Sequence, residues 1–203
     1  MKDPEIRALL EKGALKKASA DPNTRIIPEL GICGNRYRAD VVVINDHMTG
    51  YEIKSESDSL RRFPNQIYGY DLLFDYCHLV TASKHLEKAK KILPDHWGIK
   101  IVEEGGRIKT IRRARKNPNK TIETAVRLLW RDEVYDILQK YNRHRGKSRW
   151  DKESLANCLI QDLTEDLRLE KPSSAAPIGE TMSRHQPRAG TGSHPTNPRH
   201  QHL

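Results

Sequence analysis

The stretch YRADVVVINDHMTGYEIKSES, residues 37–57, reads as two strands around one turn. Residues 37–44 are rich in β-branched side chains, residues 45–50 supply turn formers, and residues 51–55 return as a second strand. The returning strand carries Glu52 and Lys54 among apolar neighbours. Residues two apart in a strand point to one face, so a carboxylate and an ammonium project together where burial is expected. That placement has a desolvation cost unless the two groups pair, bind an ion or do chemistry. Folding the strands antiparallel brings in a third charge, because directly opposed residues share a face. A register whose partner numbers sum to 92 sets Asp40 opposite Glu52, and a sum of 94 sets it opposite Lys54. Either even sum gathers Asp40, Glu52 and Lys54 at one end of the sheet, whereas an odd sum separates them.

Working outward, residues 4–19 read as a helix with Leu9, Leu10 and Leu15 towards the core, stopped by Asp21 and Pro22. A short strand over 25–30 and a turn with Gly31 and Gly34 lead into the hairpin. Downstream, Ile67, Tyr70, Leu73 and Phe74 give helical spacing over 63–76. A strand (77–82), a helix (84–93) and a strand (98–103) follow, and Glu104-Gly105-Gly106 turns into a last strand over 107–111. This order predicts an α/β (α+β) fold, a mixed central sheet with helices on its faces. After Asn117-Pro118-Asn119 the pattern is helical over 121–141 and 148–167, with Ser148 as N-cap of the second helix. The expected organisation is a sheet domain over 1–116, a basic helical hairpin over 117–170 and a disordered tail over 171–203.

Charge is concentrated. The chain has a formal net charge of +9, and residues 107–152 alone carry 15 Lys and Arg against 5 Asp and Glu. A concentrated basic surface suits a polyanion, and nucleic acid is the commonest. No apolar run approaches the length of a membrane span, and the charged amphipathic N-terminus has no secretory h-region. Three cysteines, Cys33, Cys77 and Cys158, are too few and too far apart for a disulfide framework or a zinc site. They read as packing residues in a reducing cytoplasm.

The two converging carboxylates form a hard-oxygen site suited to Mg²⁺ (or Mn²⁺), which accepts one or two carboxylates and keeps several waters. The lysine beside them could offset phosphate charge, orient an attacking water, or work with a lowered pKa.

Asp40 in RADVVV, with Glu52 and Lys54 in YEIK, resembles the signature of the PD-(D/E)XK nuclease superfamily. Its small bacterial and phage members with an RAD…YEIK…QxxxY pattern are the nearest in appearance, over about residues 25–103. The Pro of the signature is replaced by Ala39, a position that only shapes the turn into the strand. The resemblance implies a restriction-endonuclease-like core and a Mg²⁺-dependent nuclease acting on nucleic acid, DNA first. Asp40, Glu52 and Lys54 are then catalytic, with metal held by Asp40, Glu52 and Glu29, the acidic residue that precedes the signature. It also implies that Gln66 and Tyr70, one helical turn apart in QIYGY, contact DNA or brace the active site. Arg112, Arg113, Arg115 and Lys116 are expected to hold phosphates without reading sequence. The alternatives are a catalytically silent nucleic-acid-binding module of the same fold, and a structural partner that docks through its helical hairpin.

Other residues read more plainly. Asp58 reads as a helix N-terminal residue. Arg38, Arg61 and Arg62 are candidates to face phosphate. His78, His85 and His96 lack zinc-ligand spacing, and Trp97, Trp130 and Trp150 sit at packing positions.

Overall fold

The 37–57 segment forms the hairpin at the centre of a six-stranded sheet. The computed structural model describes residues 2–169, so the tail expected to be disordered lies outside the described residues. Along the chain the elements are α1 (Asp3–Lys12), α2 (Lys16–Ala20), β1 (Arg25–Ile32), β2 (Tyr37–Ile44), β3 (Met48–Lys54), α3 (Phe63–Leu73), β4 (Tyr76–Ala82), α4 (Leu86–Ile92), β5 (Gly98–Val102) and β6 (Ile108–Arg112). Helices α5 (Ile122–Leu128), α6 (Arg131–Lys140) and α7 (Lys152–Leu169) follow.

Strands β2 and β3 pair antiparallel as Val41↔Tyr51, Val42↔Gly50, Val43↔Thr49 and Ile44↔Met48. Every pair sums to 92, one of the two even registers. The turn is tied by His47 N–H donating to Asn45 Oδ1 at 3.1 Å, and by Asn45 N–H donating to the His47 carbonyl at 3.1 Å. Period-two alternation then sorts the side chains. Val42, Ile44 and Met48 join the core under α3 with Phe63, Ile67, Tyr70 and Leu73, while Val41, Val43, Tyr51 and Ile53 meet Ile6, Leu10 and Leu15 on the other face. Gly50 is needed on the α3 side, since a Cβ there would fall 2.4 Å from the Phe74 ring.

The strands lie in chain order, β1 to β6. β3, β4 and β5 are parallel, linked by α3 and α4, while β1, β2 and β6 run antiparallel to their neighbours. The chain is therefore α+β with a mixed sheet flanked by helices, as its pattern predicts. The C-terminal ends of the parallel strands lie at one end of the sheet, which is where Glu52 and Lys54 fall.

Several boundaries differ from expectation. The N-terminal helix is two helices, because α1 ends at Gly13, whose N–H donates to the Leu9 carbonyl at 2.9 Å. The helix expected over 121–141 is also two. Leu129 turns extended to bury its side chain with Val126, Val134 and Leu138, and α6 restarts with the Trp130 N–H donating to Glu133 at 2.7 Å. Asp151, not Ser148, caps α7, accepting from Ser154 N–H at 2.7 Å. Cys77 is a packing residue, but Cys33 is exposed. Trp97 is fully buried, whereas Trp130 is 62% and Trp150 40% exposed. Trp130 sits at the start of α6 and Trp150 in the turn before α7, both outside the buried stripes of those helices.

Candidate active site

Three strands bring carboxylates to one level. Beyond the last β2–β3 pair, Asp40 falls opposite Glu52, and Asp40 Oδ2 accepts the Ile53 N–H at 2.7 Å. On the other side, Pro28↔Val41 and Leu30↔Ala39 bracket Glu29 opposite Asp40. Glu29 itself leaves the ladder with φ +54°, a left-handed conformation that a residue with a Cβ adopts rarely. Its side chain is held by Arg7 and, at 2.7 Å, by Arg38 Nε. Among the described residues no three His, Cys, Asp or Glu side chains gather as a metal cage. Glu29 thus lines the same cleft as Asp40 and Glu52, but its carboxylate is drawn towards two arginines.

Glu52 is fully buried. Its Oε2 lies 2.7 Å from the Tyr70 hydroxyl, which also lies 3.0 Å from the Tyr51 carbonyl and accepts the Asp40 N–H at 3.2 Å. Its Oε1 stands 2.5 Å from Lys54 Nζ, so the buried carboxylate and the ammonium form a tight ion pair. Burial is the main cause that pushes Asp40 up to about 7, with the Glu52 charge adding to it. Burial alone would lower the Lys54 pKa, but the Glu52, Asp40 and Asp58 charges outweigh it and hold the group above its ordinary value. Lys54 is therefore a firmly charged ammonium, and a lysine with a lowered pKa is not what this geometry makes. Burial, then the same two carboxylates, raises Tyr70 well above the usual phenol, so it stays a donor.

The acids open into a cleft of about 870 Å³ whose cationic wall is Arg36, Arg38 and Arg62. Gln66 lines it too, its Nε2 donating to the Arg38 carbonyl at 3.2 Å. Tyr70 is buried against Phe74 and Trp97 and touches the carboxylates from behind. It braces the site and is not placed to contact nucleic acid. Of the three arginines named as candidates to face phosphate, Arg38 and Arg62 line the cleft and Arg61 does not. Arg36 and Arg7 were not anticipated: Arg36 stacks over Tyr37 at 5.7 Å, and Arg7 donates to the Asp40 carbonyl at 2.9 Å. Asp58 closes the turn after β3 rather than a helix, accepting the Ser55 N–H at 2.7 Å.

The basic run divides. Arg112 is half-buried and donates from Nε to the Trp97 carbonyl at 2.7 Å and from its terminal nitrogen to the Pro94 carbonyl at 2.8 Å. It fastens the loop before β5, so its guanidinium is not free for phosphate. Arg113, Arg115 and Lys116 are exposed. They follow β6 at the end of the sheet where β5 begins, away from the end where β3 delivers Lys54.

The sequence matches the family described as Bacteriophage P4 protein cII over residues 2–171. Protein cII of Enterobacteria phage P4 is 25% identical over 144 residues, which cover 70% of this chain and 54% of that protein. The chain thus spans about half the length of that relative. Among solved structures, the SPO1766 protein of unknown function from Silicibacter pomeroyi aligns with a TM-score of 0.41 at 17% identity, over 70% of this chain and 94% of that one.

Proposed function

The chain belongs to the bacteriophage P4 protein cII family, and we propose that it is a Mg²⁺-dependent nuclease with the PD-(D/E)XK arrangement, hydrolysing phosphodiester bonds of nucleic acid, DNA first. The observation that carries this reading is the meeting of Asp40, buried Glu52 and charged Lys54 on one face of the hairpin. Two carboxylates side by side fit a hard cation, which accepts one or two of them and keeps several waters. Asp40 and Glu52 would hold the ion, and Glu29 could join only by leaving its arginines. Bound there, Mg²⁺ supplies positive charge against the phosphate oxygens and acidifies water.

The chain's own residues do the rest. Arg36, Arg38 and Arg62 hold the phosphate backbone in the cleft. Lys54 orients the attacking water and offsets charge as the water oxygen bonds to phosphorus and the sugar oxygen leaves. Tyr70 keeps Glu52 aimed, since its hydroxyl reaches Oε2 while its oxygen accepts from Asp40 N–H.

One observation favours the silent binding module instead: Lys54 and Glu52 already neutralise each other. Incubation of the purified chain with single-stranded DNA, duplex DNA and RNA, in Mg²⁺ and in EDTA, separates the two. The nuclease reading expects cleavage that requires metal and is lost in Asp40→Asn. Binding without cleavage under every metal would leave the silent module.

A further inference from the structure

We infer that the α5–α7 region presents a second surface, built from Trp130 and Trp150 beside the cations of residues 140–149 and clamped from within by Arg131, that binds unpaired bases of single-stranded nucleic acid. This rests on the reading of the chain as a nucleic-acid protein, but not on hydrolysis.

Two indoles stand exposed on a small helical subcore that has room for neither. The interior made by Val126, Leu129, Val134, Leu138, Leu155 and Leu159 is closed without them. The backbone that carries them is nonetheless tied together. Arg131 follows Trp130 directly, and its guanidinium bonds the Trp150 carbonyl at 3.0 Å and the Ser148 carbonyl, so the two tryptophan segments are clamped together. Lys147 Nζ donates to the Arg143 carbonyl at 2.6 Å and stands 5.4 Å from the Trp150 ring centroid, which sets a cation beside that ring. Residues 140–150 contain Lys140, Arg143, Arg145, Lys147 and Arg149 and no carboxylate. The acids next to the two indoles in sequence are Asp132, paired with Arg131 at 2.7 Å, Glu133, buried as the cap of α6, Asp151, which caps α7, and Glu153, 3.8 Å from Arg127; exposed Asp136 follows on α6.

The occupant is argued from chemistry. Cations track a phosphate backbone, and flat rings stack on bases, which only an unpaired strand offers face-on. The chain's own C-terminal residues 171–203 carry four Lys and Arg against one Glu, so they share the sign of this surface and are not its complement.

The test is binding in EDTA, where no metal-dependent cleavage can intervene. Fluorescence anisotropy is read with a labelled oligothymidylate and with a duplex of equal length, on wild type, Trp130→Ala, Trp150→Ala and Trp130→Phe. Each alanine variant should weaken the single strand by about tenfold or more, in line with one lost stacking contact. Duplex affinity should stay within about twofold, and Trp130→Phe should recover part of the loss. Thermal melts of the same samples identify any variant that fails to fold, and Trp130→Phe keeps the test alive in that case. Equal binding of the single strand by wild type and both alanine variants overturns the inference. So does an equal loss for single strand and duplex, or a change in sedimentation with unchanged nucleic-acid binding, which would mark a protein interface. Stacking without cleavage in Mg²⁺ would sink the nuclease reading and leave this surface standing, and cleavage with indifferent indoles would do the reverse.

Discussion

Asp40 is pushed from 3.8 up to about 7, first by burial and then by the Glu52 charge. The folded chain therefore keeps a proton that the unfolded chain gives up, and the sign follows from linkage. Stability from this group is complete below about 4 and is lost as pH rises through about 7. The loss is on the order of a few kcal/mol. Metal-free melting temperatures of wild type and Asp40→Asn, taken from pH 4 to 8, should diverge in that window, with the variant gaining on wild type at the alkaline end. Parallel curves would contradict the placement of Asp40 against Glu52. Tyr70→Phe is the matching test of the brace. It leaves Glu52 Oε2 buried without its 2.7 Å donor, which should cost about 1–3 kcal/mol by chemical denaturation. A neutral result would mean that the hydroxyl does not support the carboxylate.

At the scale of elements, the β2–β3 hairpin was legible because period two and a short turn leave few registers. Either even sum brings Asp40, Glu52 and Lys54 together, and the turn at residues 45–47 decides between the two even registers. The breaks at Gly13 and Leu129 were not legible, since the helical spacing continues across both and tertiary burial decides where the backbone turns. Arg7 was not legible either: nothing in an amphipathic helix says that residue 7 reaches the carbonyl of residue 40. The basic run also needed coordinates to divide. Arg112→Ala should act on stability, by about 1–3 kcal/mol, because two loop carbonyls lose their donor. Changing Arg113, Arg115 and Lys116 to Ala should instead leave the melting temperature alone and flatten the salt dependence of duplex binding, by up to about 0.9 per lost contact. Binding lost in Arg112→Ala without any change in melting would reverse this division.

Across the whole molecule, one sheet holds two kinds of surface apart. The cleft beside β2 and β3 sets three arginines around Asp40 and the buried Glu52, whereas the C-terminal helices expose Trp130 and Trp150. Among the described residues no helix is long and apolar enough to cross a membrane. The proposed hydrolysis rests on the cleft alone. The most direct measurement is single-turnover cleavage of labelled DNA in Mg²⁺ by wild type, Asp40→Asn and Lys54→Ala, each first shown to be folded and to bind the substrate. The account predicts cleavage by wild type, none above background by Asp40→Asn, and a rate at least about 10²-fold lower for Lys54→Ala, the loss expected for one electrostatic stabiliser. Equal rates for all three, or no cleavage by a wild-type chain that binds DNA, would contradict it.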